Sequence, residues 1–164
     1  MPDPVFAHVP RQLVIFRVGQ TQYGLDIASV GEILAPLPIT RIPGAPGGIL
    51  GLVTARDRIV PLFDLHWKFG LLCDESAPSR LILVDHIDGP VALLVDSVDE
   101  VTVIAREAYQ PVRTLGDPAA IGYIRGCVRR DDRLVLWVDH NQLVPNGAVS
   151  AAMRARSRVT DQVG

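Results

Sequence analysis

Ile49-Leu-Gly-Leu-Val-Thr-Ala-Arg-Asp-Arg-Ile-Val-Pro-Leu-Phe-Asp-Leu65 decides how this chain is read. The stretch predicts two strands joined by a tight charged turn. Leu50 to Ala55 rises into Arg56-Asp57, and Arg58 to Leu65 leaves it. The outgoing strand carries the apolar run Ile59-Val-Pro-Leu-Phe63, closed by Asp64. The same pattern recurs 75 residues later. Gly51 falls on Gly126, Ile49 on Ile124, Val53 on Val128, Asp57 on Asp132 and Arg58 on Arg133. Ile59 falls on Leu134, Val60 on Val135 and Asp64 on Asp139. Ordered matches that keep chemical type point to an internal repeat.

Working outward, Leu13-Val-Ile-Phe16 matches Leu81-Ile-Leu-Val84, and Val30-Gly-Glu-Ile33 matches Val98-Asp-Glu-Val101, at an offset of 68. The change from 68 to 75 places a seven-residue insertion in the second copy, in the Arg106 to Gly122 loop. His140-Asn-Gln-Leu-Val144 mirrors the turn at His66. The chain therefore divides into a domain over 12–144, with copies at about 12–70 and 80–144. Residues 71–79, with Asp74-Glu-Ser-Ala-Pro78, are the linker between them. Residues 1–11 are an N-terminal tail, and 145–164 a C-terminal tail with room for a short helix.

Gln12 to Val18 reads as the first strand, and Tyr23 to Ile27 alternates as a half-buried strand does. Ala28 to Ile33 reads as a corner with one helical turn, Val30 and Ile33 facing the core. Pro36, Pro38, Pro43 and Pro46 exclude helix there. Ile87-Asp-Gly-Pro90 is a turn between strands 80–85 and 91–95, because Asp-Gly reaches positive φ at low cost. Pro61 has no N–H for a ladder, so its strand is predicted to be an edge, bulged, or open on that side. Each copy holds roughly five short strands and no long helix. Five such strands close most economically as a small barrel. The fold class is all-β, two barrels from one repeat, with a groove between them.

Composition narrows the function classes. The 164 residues are 48% hydrophobic and 21% charged, as in a globular domain that buries a core. Net charge is −2, and of 16 basic residues only Lys68 is not Arg. That balance gives no footprint for nucleic acid or an anionic membrane. No apolar run approaches 18 residues, so no membrane insertion is expected. The N-terminus lacks the basic and apolar regions of a signal peptide. Cys73 and Cys127 form no CxxC and read as isolated thiols of a reducing compartment. A cytoplasmic location is expected.

Catalytic patterns are weak. Asp64 and Asp139 form a pseudo-twofold pair, but Leu65 and His140 stand where an aspartic dyad needs Thr or Ser and Gly. Both read better as strand-end caps. The histidines make no HxH or HExxH, and no metal site is expected. Gly44-Ala-Pro-Gly-Gly48 lacks a following GK[ST], and no GxSxG occurs, so neither cofactor nor nucleophile is predicted. Arg56 stands out instead, exposed at the tip of the repeated hairpin, with Glu32 at another corner of the same copy. Binding residues are commonly placed on such loops of a rigid scaffold.

With these residues in view, the chain from about Gln12 to Val144 resembles the CheW-type chemotaxis coupling proteins. The resemblance is carried by Leu13-Val-Ile-Phe16, Tyr23-Gly-Leu-Asp-Ile27, Val30-Gly-Glu-Ile33, Thr40-Arg-Ile-Pro43 and Ile49-Leu-Gly51. It continues through Arg56 before Ile59-Val-Pro-Leu-Phe-Asp-Leu65, Val95-Asp-Ser-Val98, Ile124-Arg-Gly126 and Leu134-Val-Leu-Trp-Val-Asp139. It implies two five-stranded SH3-like barrels around a hydrophobic seam, and a non-enzymatic adaptor. The implied partners are the cytoplasmic tip of a methyl-accepting chemoreceptor and the regulatory domain of a CheA-type histidine kinase. Receptor contact is implied in the groove between barrels, at positions matching Val30, Glu32 and Arg56.

The family usually has Asn-Leu-Arg-Gly where this chain has Thr54-Ala-Arg-Asp57. Asp57 thus joins the binding candidates, expected to pair with Arg56 or Arg58 and so alter what the tip presents. A divergent chemosensory pathway, for surface motility or second-messenger output, is the alternative. A small-ligand-binding barrel is a further one. The initial Met and the two tails favour a free-standing adaptor over a segment of a kinase.

Overall fold

The computed structural model describes residues 12–111 and 122–163, with side chains through Arg156. Its strands are β1 (Gln12–Val18), β2 (Thr21–Asp26), β3 (Val30–Leu34), β4 (Ile49–Ala55), β5 (Arg58–Asp64) and β6 (Arg80–His86). They continue with β7 (Gly89–Val95), β8 (Ser97–Val103), β9 (Tyr109–Pro111), β10 (Ile124–Arg130) and β11 (Arg133–Val138). Short helices α1 (Leu65–Lys68) and α2 (His140–Leu143) follow the two repeated hairpins, and α3 (Ala148–Val163) ends the chain. The predicted N-terminal tail lies outside the described residues, as does the 112–121 part of the predicted insertion loop. The front of that loop forms a 3-10 turn at Arg106–Ala108 and then β9.

The strands form two sheets, ordered β8-β1-β2-β11-β10-β9 and β3-β6-β7-β5-β4. All-β with two barrels therefore stands, but the assignment of strands needs correcting. A copy of the repeat is not a barrel. The first copy's hairpin β1–β2 joins the sheet of β8 to β11, and the second copy's hairpin β6–β7 joins the sheet of β3 to β5. The exchange is reciprocal. β2 runs parallel to β11, with Gly24 opposite Trp137, and β7 runs parallel to β5, with Ala92 opposite Leu62. Those pairs are repeat counterparts. Repetition reveals which segments are equivalent, but not which copy each pairs with. The chain crosses through connections too short to return, Ile27–Ser29 after β2 and Asp96 after β7. A sixth strand of the second sheet survives as the single Thr40–Leu52 bridge. It matches the Gln110–Cys127 pair of β9 and β10.

Alternation divides the apolar residues among three cores. Leu13, Ile15, Val128, Val135 and Trp137 fill one barrel. Val53, Val60, Leu62, Leu81, Ala92 and Leu94 fill the other. The opposite faces of the same strands meet between the sheets, where Phe16, Leu25, Phe63, Ile82, Val84 and Leu93 pack as the seam. β7 shows the division residue by residue, with Val91, Leu93 and Val95 in the seam and Ala92 and Leu94 in a barrel. Such a strand is buried on both faces, so its sequence reads as an unbroken apolar run.

Pro61 and the C-terminal tail each resolve an expectation. β5 is an internal strand between β7 and β4, so of the three arrangements expected at Pro61 the edge is excluded and the open N–H side holds. Its parallel pairing with β7 covers only Leu62 to Asp64 and begins one residue after Pro61. The missing N–H therefore falls where no ladder bond is due. Leu136, the repeat counterpart of Pro61, is paired with Tyr23. The C-terminal tail, read as holding one helix over 148–164, forms the 16-residue α3. Ala148, Val149, Ala152 and Ala155 recur on one face and pack into the seam.

Candidate functional site

β3 carries two of the predicted binding residues and the β4–β5 turn the other two. The strand follows the Ile27–Ser29 turn, which Asp26 caps by accepting from the Ala28 N–H at 2.9 Å. Val30 and Glu32 thus sit on a strand, not on the predicted helical turn. They pair with the consecutive residues Val84 and Leu83 of β6, so the ladder slips by one at Gly31. Such a bulge re-aims the side chains beside it. Val30 is half-buried against the seam core. Ile33, read as core, is 41% exposed.

The hairpin tip is strained in a defined way. Arg56 has φ 50° and Asp57 φ 66°, two consecutive left-handed residues with no glycine. This is the pattern of a type I′ turn, whose twist suits a two-residue hairpin. It holds the Arg56 side chain across to β3. Arg56 Nε donates to both Glu32 oxygens at 2.9 Å, and Nη2 donates to Oε1. The Arg56 side chain is 75% exposed and that of Glu32 26%. The hydrogen bonds from Arg56, and its charge, hold the Glu32 carboxyl below its ordinary range against slight desolvation. The same contacts raise Arg56. Asp57 is exposed and, among the described residues, pairs with neither Arg56 nor Arg58, contrary to one sequence expectation. Beside the tip lies a groove of about 350 Å³, lined by Pro38, Thr40, Ile42, Leu52, Ile59 and Arg156.

The structure thus brings Glu32 and Arg56 into one forked ion pair on the five-stranded sheet. Val30 adjoins it on β3, and Asp57 stays free at the tip. Sequence reasoning missed that the arrangement occurs twice. On the other sheet Glu100 of β8, the repeat counterpart of Glu32, pairs with Arg130 at the β10–β11 turn. Offset matching hides this pair because Arg56 aligns with Asp131, itself left-handed at φ 53°.

A second polar cluster, at the seam, was also missed. Asp64 and Asp139 do cap α1 and α2, each accepting at 2.9 Å from the N–H two residues on. His66 is then held on both sides. Its Nδ1 lies 2.7 Å from Asp64 Oδ1 and its Nε2 2.6 Å from Asp96 Oδ1. Asp96 Oδ2 also accepts from the Gly19 N–H at 2.7 Å. Burial pulls the His66 pKa down, but the two carboxylates' hydrogen bonds and charges outweigh it, and the net shift is upward. No short motif marks this cluster, since its members come from α1, the β7–β8 junction and the β1–β2 turn.

The class the fold and site define is a duplicated pair of β-barrels carrying a forked ion pair on its surface. The comparisons with known proteins agree. The CheW-like domain family model matches residues 12–147. The chemotaxis protein CheW of Rhizobium meliloti is 27% identical over 143 residues, covering 87% of this chain and 92% of that protein. The chemotaxis protein CheW of Helicobacter pylori is 32% identical over 126 residues, covering 76% and 75%. The crystal structure of the scaffolding protein TtCheW from Thermoanaerobacter tengcongensis superimposes with a TM-score of 0.74 at 29% identity, covering 85% of this chain and 96% of that one. This chain belongs to the CheW family of chemotaxis scaffold proteins. Among the described residues no helix is long and apolar enough to cross a membrane.

Proposed function

We propose that this chain is a cytoplasmic, non-enzymatic adaptor that couples the tip of a methyl-accepting chemoreceptor to the regulatory domain of a CheA-type histidine kinase. The observation that carries the reading is the Glu32–Arg56 fork, an exposed ion pair held by β3 and by a left-handed turn. Fixed polar groups beside half-buried Val30 suit recognition of a partner surface, because their ordering is complete before binding. No nucleotide or metal is needed for this task. The adaptor would hold receptor and kinase in register, so that receptor conformation biases kinase activity.

Receptor capture tests the reading. Arg56→Glu is expected to lower capture of receptor tip at least tenfold, as loss of an Arg hot spot does, while the thermal melt stays near wild type. The charge swap Glu32→Arg with Arg56→Glu separates the roles. It restores an ion pair within the chain but presents reversed charges to the partner, so capture stays low. Wild-type capture by the single variant would refute the assignment. Asp57 favours a second reading within the same class. Its free carboxylate at the tip suits a partner of a divergent pathway, with output in surface motility or a second messenger. Restored capture of a conventional receptor by Asp57→Gly would favour it.

A further inference from the structure

The connection from α1 to β6 folds back over the end of β5 and gathers three ligand-type side chains. Asp64, His66 and Cys73 have donor atoms that all lie within 4.8 Å of one another. Asp64 and His66 are buried and Cys73 is exposed. The Glu32–Arg56 site uses none of them.

The imidazole is oriented as in protein metal centres. A ligating His usually binds through one nitrogen and donates its other N–H to a carboxylate, which fixes the ring. Here Asp96 sits 2.6 Å from Nε2 and is itself held by the Gly19 N–H. Nδ1 is left facing Asp64 Oδ1 at 2.7 Å. Oxygen, imidazole nitrogen and thiol sulfur together suit a borderline-soft divalent ion such as zinc. Burial first, and then the charges of Asp64, Asp96, Glu75 and Asp74, raise the Cys73 thiol, and the same carboxylates favour a cation placed beside it. A cavity of about 270 Å³, lined in part by His66, Cys73, Glu75 and Asp96, opens the cluster to solvent. The fold has a simpler way to close this junction. At the repeat counterpart of His66, Asn141 closes the same junction by accepting directly from the Ile87 N–H at 2.9 Å.

We propose that Asp64, His66 and Cys73 form a site for a zinc-class divalent cation, with Asp96 positioning the imidazole and water completing the coordination. Entry of the ion displaces the proton between Asp64 and Nδ1 and the thiol proton, both released to solvent. The bound ion ties the 71–79 connection to the seam.

Cobalt(II) added to the metal-free full chain near neutral pH tests this. A saturable tetrahedral visible spectrum with a thiolate charge-transfer band is expected, and zinc should displace it. Cys73→Ser should abolish the charge-transfer band. Because Cys73 is exposed, this variant keeps the fold, which circular dichroism verifies. Asp96→Asn should weaken affinity about 10- to 100-fold, and Cys127→Ser should change nothing. Absence of saturable binding by calorimetry, or a charge-transfer band that survives in Cys73→Ser, overturns the site.

Discussion

The hairpin tip turns on two side chains that sequence could name but not orient. Arg56 was legible because it tops a repeated hairpin, and Glu32 because it occupies a corner of the same copy. Their bidentate contact was not legible, since it joins positions 24 residues apart across a barrel. Asp57 was legible as a departure, and its φ of 66° gives that departure a physical meaning. An L-residue in the left-handed region is strained by its Cβ, and Asp tolerates the region better than most. Substitution at 57 should therefore order stability as Gly at or above Asp, and both above Ala. The Gly to Ala gap should be about 1 kcal/mol, the usual scale of the left-handed penalty. Urea unfolding of the three proteins measures it, and equal midpoints for Gly and Ala would contradict a left-handed turn.

Gly51 and Gly126, which anchored the alignment of the two copies, prove to have one job at the scale of elements. A Cβ on Gly51 would lie 2.3 Å from the Thr40 carbonyl oxygen, and one on Gly126 would lie 2.6 Å from that of Gln110. Each glycine lets a short crossing segment press against its hairpin, Thr40 on β4 and β9 on β10. The repeat was thus legible because the same close approach is made twice. The pairing of the crossing segments was not, because one bridge or three residues leave no periodic signature. Gly51→Ala and Gly126→Ala should each destabilise by roughly 1–3 kcal/mol, the usual cost of forcing atoms into a packed site. Gly51→Ala should also expose the Thr40 and Leu52 amides, which now bond to each other's carbonyls at 2.8 Å. Hydrogen exchange at those two amides reads this directly, and unchanged protection would show that the close approach has no structural role.

Across the whole molecule, the repeat foretold two barrels but could not say that they trade hairpins, because equivalence in sequence carries no information about pairing. The trade makes the seam the largest core among the described residues, with polar links between the sheets at its margins. One of them is His66, which follows the β5 end of one sheet and reaches Asp96, and through it Gly19 in the β1–β2 turn of the other. Burial opposes a charged imidazole there, but the carboxylates on both ring nitrogens raise its pKa. The unfolded chain has no such partners and titrates near 6.5. A group whose folded pKa is raised gives its full stabilisation below the unfolded value and loses it as pH rises through the folded one. In chelator, the stability that wild type gains over His66→Gln should therefore be greatest below about pH 6.5 and shrink steadily above it. Urea midpoints of both proteins across this range isolate the effect, because the two differ at residue 66 alone. Parallel profiles would mean that the carboxylates do not raise the His66 pKa above its unfolded value, and would overturn a charged link at the seam.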